Sequence, residues 1–244
     1  MDVKSAGRTV DLFETFARSR APLSLSELAR ALGVPQSSCF NLVRALEGRG
    51  YLYSLGEKRR LYPTRRLFEV ASAIAGSEPL VARVEGVLAA LREATRETVI
   101  LGTRRGDSAI YLAVVEGPQT VRYTAEVGAQ KPLHSSAIGK ALLSALDPLQ
   151  LKESVERLPL PAMTAATITD PALLLAELEK SARRGFAETK GENIADVSAI
   201  AKAVGIGGQL YAIAVAGPMH RMAAQGPAHL AALVEACGRV GEGR

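Results

Sequence analysis

The chain of 244 residues contains no tryptophan, only two cysteines and few aromatic residues of any kind (5%). Cys39 and Cys237 lie far apart and outside any CxxC or Cys/His cluster, which argues against a disulfide framework and a structural zinc site. Free thiols in a reducing compartment are the expectation, with no metal site and no cofactor. Long apolar runs are missing too: no stretch approaches the ~20 residues of a membrane span. The first residues, "MDVKSAGRTVDLFETF", are acidic at position 2 and amphipathic in spacing, unlike a secretory signal, so a cytoplasmic location is expected.

What is present fits a globular protein of two domains. The hydrophobic fraction is 48% and the mean hydropathy +0.10, and the length allows two cores of ordinary size. Charge is unevenly spread. Residues 1–66 hold twelve Lys/Arg against six Asp/Glu, a net of +6, which leaves −1 for the rest of a chain whose total is +5. A basic first quarter on a nearly neutral body points to a polyanion-binding module joined to something else.

In that first quarter Val10, Phe13, Phe16 and Ala17 recur at helical spacing. After a loop around Pro22, "SLSELARALGV" offers Ser24 or Ser26 as N-cap, Leu25, Leu28, Ala29 and Leu32 as a stripe, and Gly33 as the residue that turns the chain. Pro35 suits the first position of a second helix, "PQSSCFNLVRALEGRG", because its missing N–H would have no partner there. Cys39, Leu42, Val43 and Leu46 fall on one side of it; Gln36, Ser37, Phe40, Asn41 and Arg44 fall toward the other, with Ser38 as a further short donor. Two helices around a tight turn, the second with a polar N-terminal face, form a helix-turn-helix pattern whose second helix enters the DNA major groove. The serines suit phosphate or base edges, Asn41 adenine, Arg44 phosphate or guanine, and Phe40 a thymine methyl. "GYLYSLGEKRRLYPT" then alternates about a turn, predicting a hairpin with Lys58, Arg59 and Arg60 at its tip, a wing placed to meet phosphate. Leu67, Val70, Ala71, Ile74 and Ala75 form a further stripe up to the Gly76-Ser77-Glu78-Pro79 break. This reads as a linker helix, or equally as a core helix of the next domain.

Beyond it, a helix over about 80–95 precedes "TVILGTRRGDSAIYLAVVEG", a pair of strands about a Gly-Asp-Ser turn, and "TVRYTAEVG" reads as a third strand. "KPLHSSAIGKALLSAL" reads as a helix with Ile138, Leu142 and Leu146 on its apolar stripe. "PALLLAELEKSARRGF" is a helix started by Pro171 and stopped by Gly185. "VSAIAKAVGIGGQLYAIAVAGP" gives two strands about a glycine turn, before a final Ala-rich helix toward residue 240. Strands in hairpins mixed with helices give an α+β domain around an antiparallel sheet.

His134, two serines and a Gly-Lys pair within seven residues resemble chemistry and fail its requirements. A P-loop needs GxxxxGK and then Ser or Thr; here Ala141 follows Lys140 and His134 stands where the first glycine belongs. A nucleophile elbow needs GxSxG, and neither Ser135 nor Ser136 has the glycines. A hydrolase or transferase using Ser135 or Ser136 with His134 has no assignable acid partner, and stands as an alternative to a protein that is not an enzyme. The stretch better suits a helix capped by Ser135 or Ser136, whose unpaired first N–H groups would bind a carboxylate. Gly139 inside that helix costs about 1 kcal/mol relative to alanine, which calls for a close approach by a strand or a ligand.

Taken in order, "SLSELARALGVPQSSCFNLVRALEGRGYLY", "KPLHSSAIGKALLSAL", "TITDPALLLAELEKSARRGFAET" and "IAVAGPMHRM" resemble the IclR family of bacterial transcriptional regulators over nearly the whole chain. The resemblance implies a winged helix-turn-helix over 1–64, a linker helix over 65–79, and a GAF-like effector-binding domain over 80–244. It implies homodimers or homotetramers on a palindromic or near-palindromic operator in double-stranded DNA. It also implies a small-molecule pocket between the start of the "LHSSAIGK" helix and the last two strands, at Ser136, Ala137, Ile138, Ala199, Ala214 and Ala216, beside Ser135. The family commonly has arginine where Asn41 stands and polar side chains at several of those strand positions. Alanine there points to a carboxylate effector with an apolar or aromatic portion. Lys202 replaces a usual alanine, either as a solvated strand-end charge or as a partner for an acidic effector. A C-terminal domain that only oligomerises is the third reading.

Overall fold

The computed structural model describes residues 4–56, 58–75 and 79–241, and the chain divides into two units, Met1–Glu78 and Pro79–Arg244. In the first, α1 (Lys4–Ser19), α2 (Leu25–Ala31) and α3 (Gln36–Gly48) precede a hairpin of β1 (Leu52–Leu55) and β2 (Arg60–Pro63), followed by α4 (Arg66–Ala75). Local chemistry explains the helix pair. The Ser24 hydroxyl accepts from the Glu27 N–H while the Glu27 carboxylate accepts from the Ser24 N–H, a reciprocal cap that starts α2. Gly33 ends the helix at φ +62°, a conformation that L side chains avoid. Pro35 is the N-cap of α3, one residue earlier than its predicted first helical position, because its ψ of 144° is extended.

Leu12, Phe16, Leu28, Cys39, Val43, Leu46, Leu52 and Leu61 make the core of this unit. The predicted stripe on α1 is displaced. Val10 and Ala17 are exposed, and the buried face is Leu12, Thr15 and Phe16. Overlapping sets of residues in this helix meet the i, i+3, i+4 rule, and packing selects the set that contains Leu12. Leu23 and Leu61 exchange backbone hydrogen bonds, so the loop before α2 is a third, one-residue rung on the wing sheet. On α4, Leu67 is half-buried and Val70, Ala71 and Ile74 are exposed. The break at Gly76-Ser77-Glu78 lies outside the described residues.

The second unit is built on one antiparallel sheet of six strands in the order β5-β4-β3-β8-β7-β6. Its elements are α5 (Pro79–Thr95), β3 (Thr98–Arg105), β4 (Ser108–Val115), β5 (Gln130–Pro132), α6 (Ala137–Ser144), α7 (Pro148–Arg157), α8 (Pro171–Arg184), β6 (Ala187–Lys190), β7 (Val197–Ile206), β8 (Gln209–Pro218), α9 (Met219–Ala224) and α10 (Gly226–Gly241). Both faces are covered, so the strands read as continuous apolar runs, yet their alternation sorts the residues by size. In β8, Ile213 and Val215 join Val84 and Leu88 of α5 and Leu233 of α10 in one core. Ala212, Ala214 and Ala216 face the opposite core, with Ile138 and Leu142 of α6 and Leu174 and Leu178 of α8. One face of the sheet is therefore bulky, and the face under α6 is shallow.

Two expectations change here. "TVRYTAEVG" is not a strand; residues 120–128 form an irregular loop, and the edge strand β5 comes after it. Its alternation has no sheet face to meet: Val121 and Val127 are exposed while Tyr123 turns inward, its carbonyl accepting the Thr98 hydroxyl. The helix α7 has no counterpart among the predicted elements, although Asp147 caps it and Pro148 opens it. α8 has the predicted proline start and glycine stop, with Asp170 as its cap. The predicted final helix is two, α9 and α10.

Candidate functional site

In the first unit, eight of the nine residues predicted to face DNA are exposed. Gln36, Ser37, Ser38, Phe40, Asn41 and Arg44 are exposed on α3, opposite buried Cys39, Val43 and Leu46. Among the described residues no side chain caps α3, so the N–H groups of its first turn are open to an anion. The Arg44 guanidinium lies 5.9 Å from the centre of the Phe40 ring, which stays 47% exposed, a large aromatic surface held out to solvent by a cation–π contact. Lys58 and Arg59 are exposed at the wing tip, Arg59 at a φ of +45° that directs the chain around the turn. Glu57 of that turn lies outside the described residues.

Arg60 does not belong with them. It pairs with Leu55 in the rung next to the tip, and its guanidinium donates to the Pro22 carbonyl (3.0 and 2.8 Å) and to the Glu27 carboxylate (3.0 Å). One register step separates a free tip cation from one folded back as a brace between wing and α2. The backbone and hydroxyl of Ser24 hold the Glu27 carboxyl below the usual range, with Arg60 adding to the effect.

In the second unit, Ser135, Ser136, Ala137, Ile138, Ala199, Ala214 and Ala216 all line one cavity, whose empty space including its mouth is about 410 Å³. Ala199 and Ala216 are direct cross-strand neighbours, and Ala214 pairs with Ile100 of β3, so the floor is flat and apolar. Tyr111, Tyr123, Ile100, Thr189, Asn193, Ile194 and Val197 complete the lining. These seven were not predicted. Tyr111 is one apolar residue in an alternating strand, and Asn193 lies in the aperiodic turn "GENIAD"; neither carries a local signal.

The serines act structurally. Ser136 caps α6: its hydroxyl accepts from the Gly139 N–H (3.2 Å) and donates to the Pro132 carbonyl (2.8 Å). Ser135 accepts from the Asn193 amide at 3.1 Å. The N–H groups of Ala137 and Ile138 have no acceptor among the described residues and sit at the positive end of the helix. Neither serine meets a base. His134 Nε2 donates to the Pro161 carbonyl (3.0 Å), which fixes the neutral tautomer, and burial pushes its pKa down. The nucleophile-and-base arrangement considered from sequence is therefore not assembled.

Gly139 has the close approach that its sequence context demands, but from the chain leading into its own helix. A Cβ there would overlap the Leu133 Cα and the Leu133 carbonyl group. Lys140 is fully buried and places its ammonium 2.5 Å from the Glu192 carboxylate, so it is not available to a phosphate. Burial raises the Glu192 pKa, against the opposing pull of Lys140. Lys202 lies within β7, not at its end, and donates to the Gly185 carbonyl at the end of α8 (3.0 Å), so it caps a helix and does not line the cavity.

A helix-turn-helix with a basic-tipped wing, joined to a sheet domain with a small cavity, defines a DNA-binding transcriptional regulator of two parts. Two family profiles match: the IclR helix-turn-helix domain over residues 5–56, and the bacterial transcriptional regulator IclR C-terminal domain over residues 72–240. The chain belongs to the IclR family. It is 32% identical over 202 residues to the HTH-type transcriptional regulator BhcR of Paracoccus denitrificans (strain Pd 1222), covering 83% of this chain and 72% of that one. Its fold is that of Thermotoga maritima IclR, with a TM-score of 0.81, 23% identity and 98% of each chain covered. The fold is shared also with an IclR homolog from Microbacterium hydrocarbonoxydans solved in complex with 4-hydroxybenzoate, with a TM-score of 0.77, 24% identity and 97% of each chain covered.

Proposed function

We propose that α3 reads an operator through Gln36, Ser37, Ser38, Phe40, Asn41 and Arg44, that Lys58 and Arg59 hold the flanking phosphates, and that a small carboxylate in the cavity changes operator affinity. The chain works as a homodimer or homotetramer on a palindromic or near-palindromic site. A winged helix-turn-helix over 1–64 and an effector domain over 80–244 are joined by a linker helix over 65–79, through which the ligand favours one arrangement of the DNA-binding heads.

The observation that carries this reading is the composition of the cavity. Among the described residues its lining holds no Lys, Arg or His, yet it includes the open N-terminus of α6, where main-chain N–H groups satisfy an anion without a counter-charge. Three alanines leave a flat floor for an apolar body, and Tyr111 and Tyr123 offer hydroxyls beyond it. The ligand is thus a monocarboxylate with a compact, flat, apolar or aromatic body. The 4-hydroxybenzoate complex of the Microbacterium relative supports that class.

The test is fluorescence anisotropy on DNA from the region upstream of the chain's own gene, with and without acetate, benzoate and 4-hydroxybenzoate. Tight binding that weakens steeply with salt, by a slope of about 0.9 per phosphate contacted, and that shifts with an aromatic acid is expected. A salt-independent interaction would overturn the DNA-reading surface. Unchanged operator affinity and melting temperature across the acids would leave a C-terminal domain that only oligomerises.

A further inference from the structure

Lys140 is the largest side chain of this protein with no exposure, surrounded on α6 by Ala137, Ile138, Ala141, Leu142 and Leu143. A lone ammonium in such a place is costly, so the fold must supply a counter-charge. The counter-charge comes from Glu192, fifty-two residues further along the chain and next to Asn193 and Ile194, which line the cavity. The pair thus ties the helix that offers the anion-binding N–H groups to the turn that forms the opposite polar wall.

Other contacts hold the same turn. The Thr167 hydroxyl donates to the Glu192 carbonyl (2.6 Å) and the Thr164 hydroxyl to the Gly191 carbonyl (2.6 Å). Gly191 is at φ +68°, and a Cβ on it would lie 2.7 Å from the Ala195 carbonyl oxygen, so the backbone folds tightly on itself. At the tip, Asn193 donates to Ser135, immediately before the cap of α6. The threonines fix the height of the turn above the loop below it. Lys140 holds the Glu192 side chain toward α6, beside the bond from Asn193 to Ser135. An apolar contact would tolerate sliding, whereas an ion pair of this length specifies one position.

We propose that Lys140 and Glu192 are positioning residues: their buried ion pair holds the 191–196 turn, and with it Asn193, against the start of α6, setting the affinity of the cavity without touching its ligand. The consequence for affinity rests on the effector reading given above; the placement of the turn does not. A Lys140→Met/Glu192→Leu double variant removes both charges, so that neither is left buried alone. Hydrogen exchange followed by mass spectrometry on the ligand-free protein should then show amides 191–196 exchanging at least tenfold faster, with those of β7 and β8 unchanged. A Lys140→Gln/Glu192→Gln double variant also leaves no buried charge, keeps hydrogen-bonding groups at both positions and should loosen the turn by a smaller factor, about threefold, which preserves the test if the first double variant does not fold. Parent-like protection of 191–196 in the folded variants would overturn the proposal. A uniform rise across the whole domain, a sign of general destabilisation, would overturn it too. In parallel, titration with 4-hydroxybenzoate should show at least tenfold weaker binding to the double variant. If the parent binds no acid, the effector reading fails while the exchange data still decide the role of the pair.

Discussion

Replacing Gly139 by alanine sets two effects of opposite sign against each other. Alanine is favoured over glycine inside a helix by about 1 kcal/mol, so helix propensity alone predicts stabilisation. Against it stands the Leu133 backbone, whose Cα and carbonyl group lie well inside ordinary van der Waals contact of where the new methyl must go. The neighbour cannot easily yield. It is main chain, flanked by the Ser136 hydroxyl bond to Pro132 and the His134 bond to Pro161. Overpacking of this kind costs about 1–3 kcal/mol, and stretching either flanking hydrogen bond adds about 1 kcal/mol. The net expectation is a loss of about 1–3 kcal/mol, or roughly 3–10 °C in the melting temperature of a unit of this size. Differential scanning calorimetry on Gly139→Ala and Gly86→Ala separates the terms. Gly86 lies in α5 with nothing within 4 Å of an added Cβ, so its substitution reports propensity alone and should stabilise. Equal stabilisation in both variants would refute the claim that close approach is what places glycine at 139.

Three further expectations follow from the same contacts. Arg60→Ala should lower the stability of the N-terminal unit, through the lost bonds to the Pro22 carbonyl more than through the partly exposed pair with Glu27, whereas Arg59→Ala should leave stability unchanged and reduce the salt slope of DNA binding by about 1; urea titration and anisotropy at several salt concentrations check both. Asn41→Ala should cost about 1–3 kcal/mol on the best operator and relax preference at one base pair per half-site, read by binding to single-substitution operators. His134 and His229 are buried with pKa values held below 6.5, so the folded state stays unprotonated while the unfolded chain takes up protons as pH falls through that value. Stability should therefore decline from pH 7.5 to 5.5, and His134→Gln with His229→Gln should flatten the decline; a melting temperature that holds steady or rises over this range would contradict the assignment.

Where the sequence was legible, the cause was local. The Ser24 cap, the Gly33 turn and the proline and glycine limits of α8 depend on a few adjacent residues, so the structure repeats what the spacing predicts. The polar face of α3 follows from helical period in the same way. Alternation was less reliable: "TVRYTAEVG" has a strand's pattern, but a strand forms only where a neighbour accepts its hydrogen bonds. Arg59 and Arg60 are identical neighbours in sequence, and only the hairpin register separates the exposed tip from the brace.

By itself the sequence determined the helix-turn-helix, its outward face and the alternation that leaves small residues on one side of β8, because these follow from backbone periodicity and nearest-neighbour capping. The residues of the cavity were anticipated through resemblance to a family, with no local pattern to place them. Only the tertiary structure decided that Asn193, Tyr111 and Tyr123 join them, that Leu133 is the close neighbour of Gly139, and that Lys140 is paired with Glu192. Contacts between distant segments are chosen by packing and by the need to neutralise a buried charge, and neither leaves a mark on the residues immediately before and after.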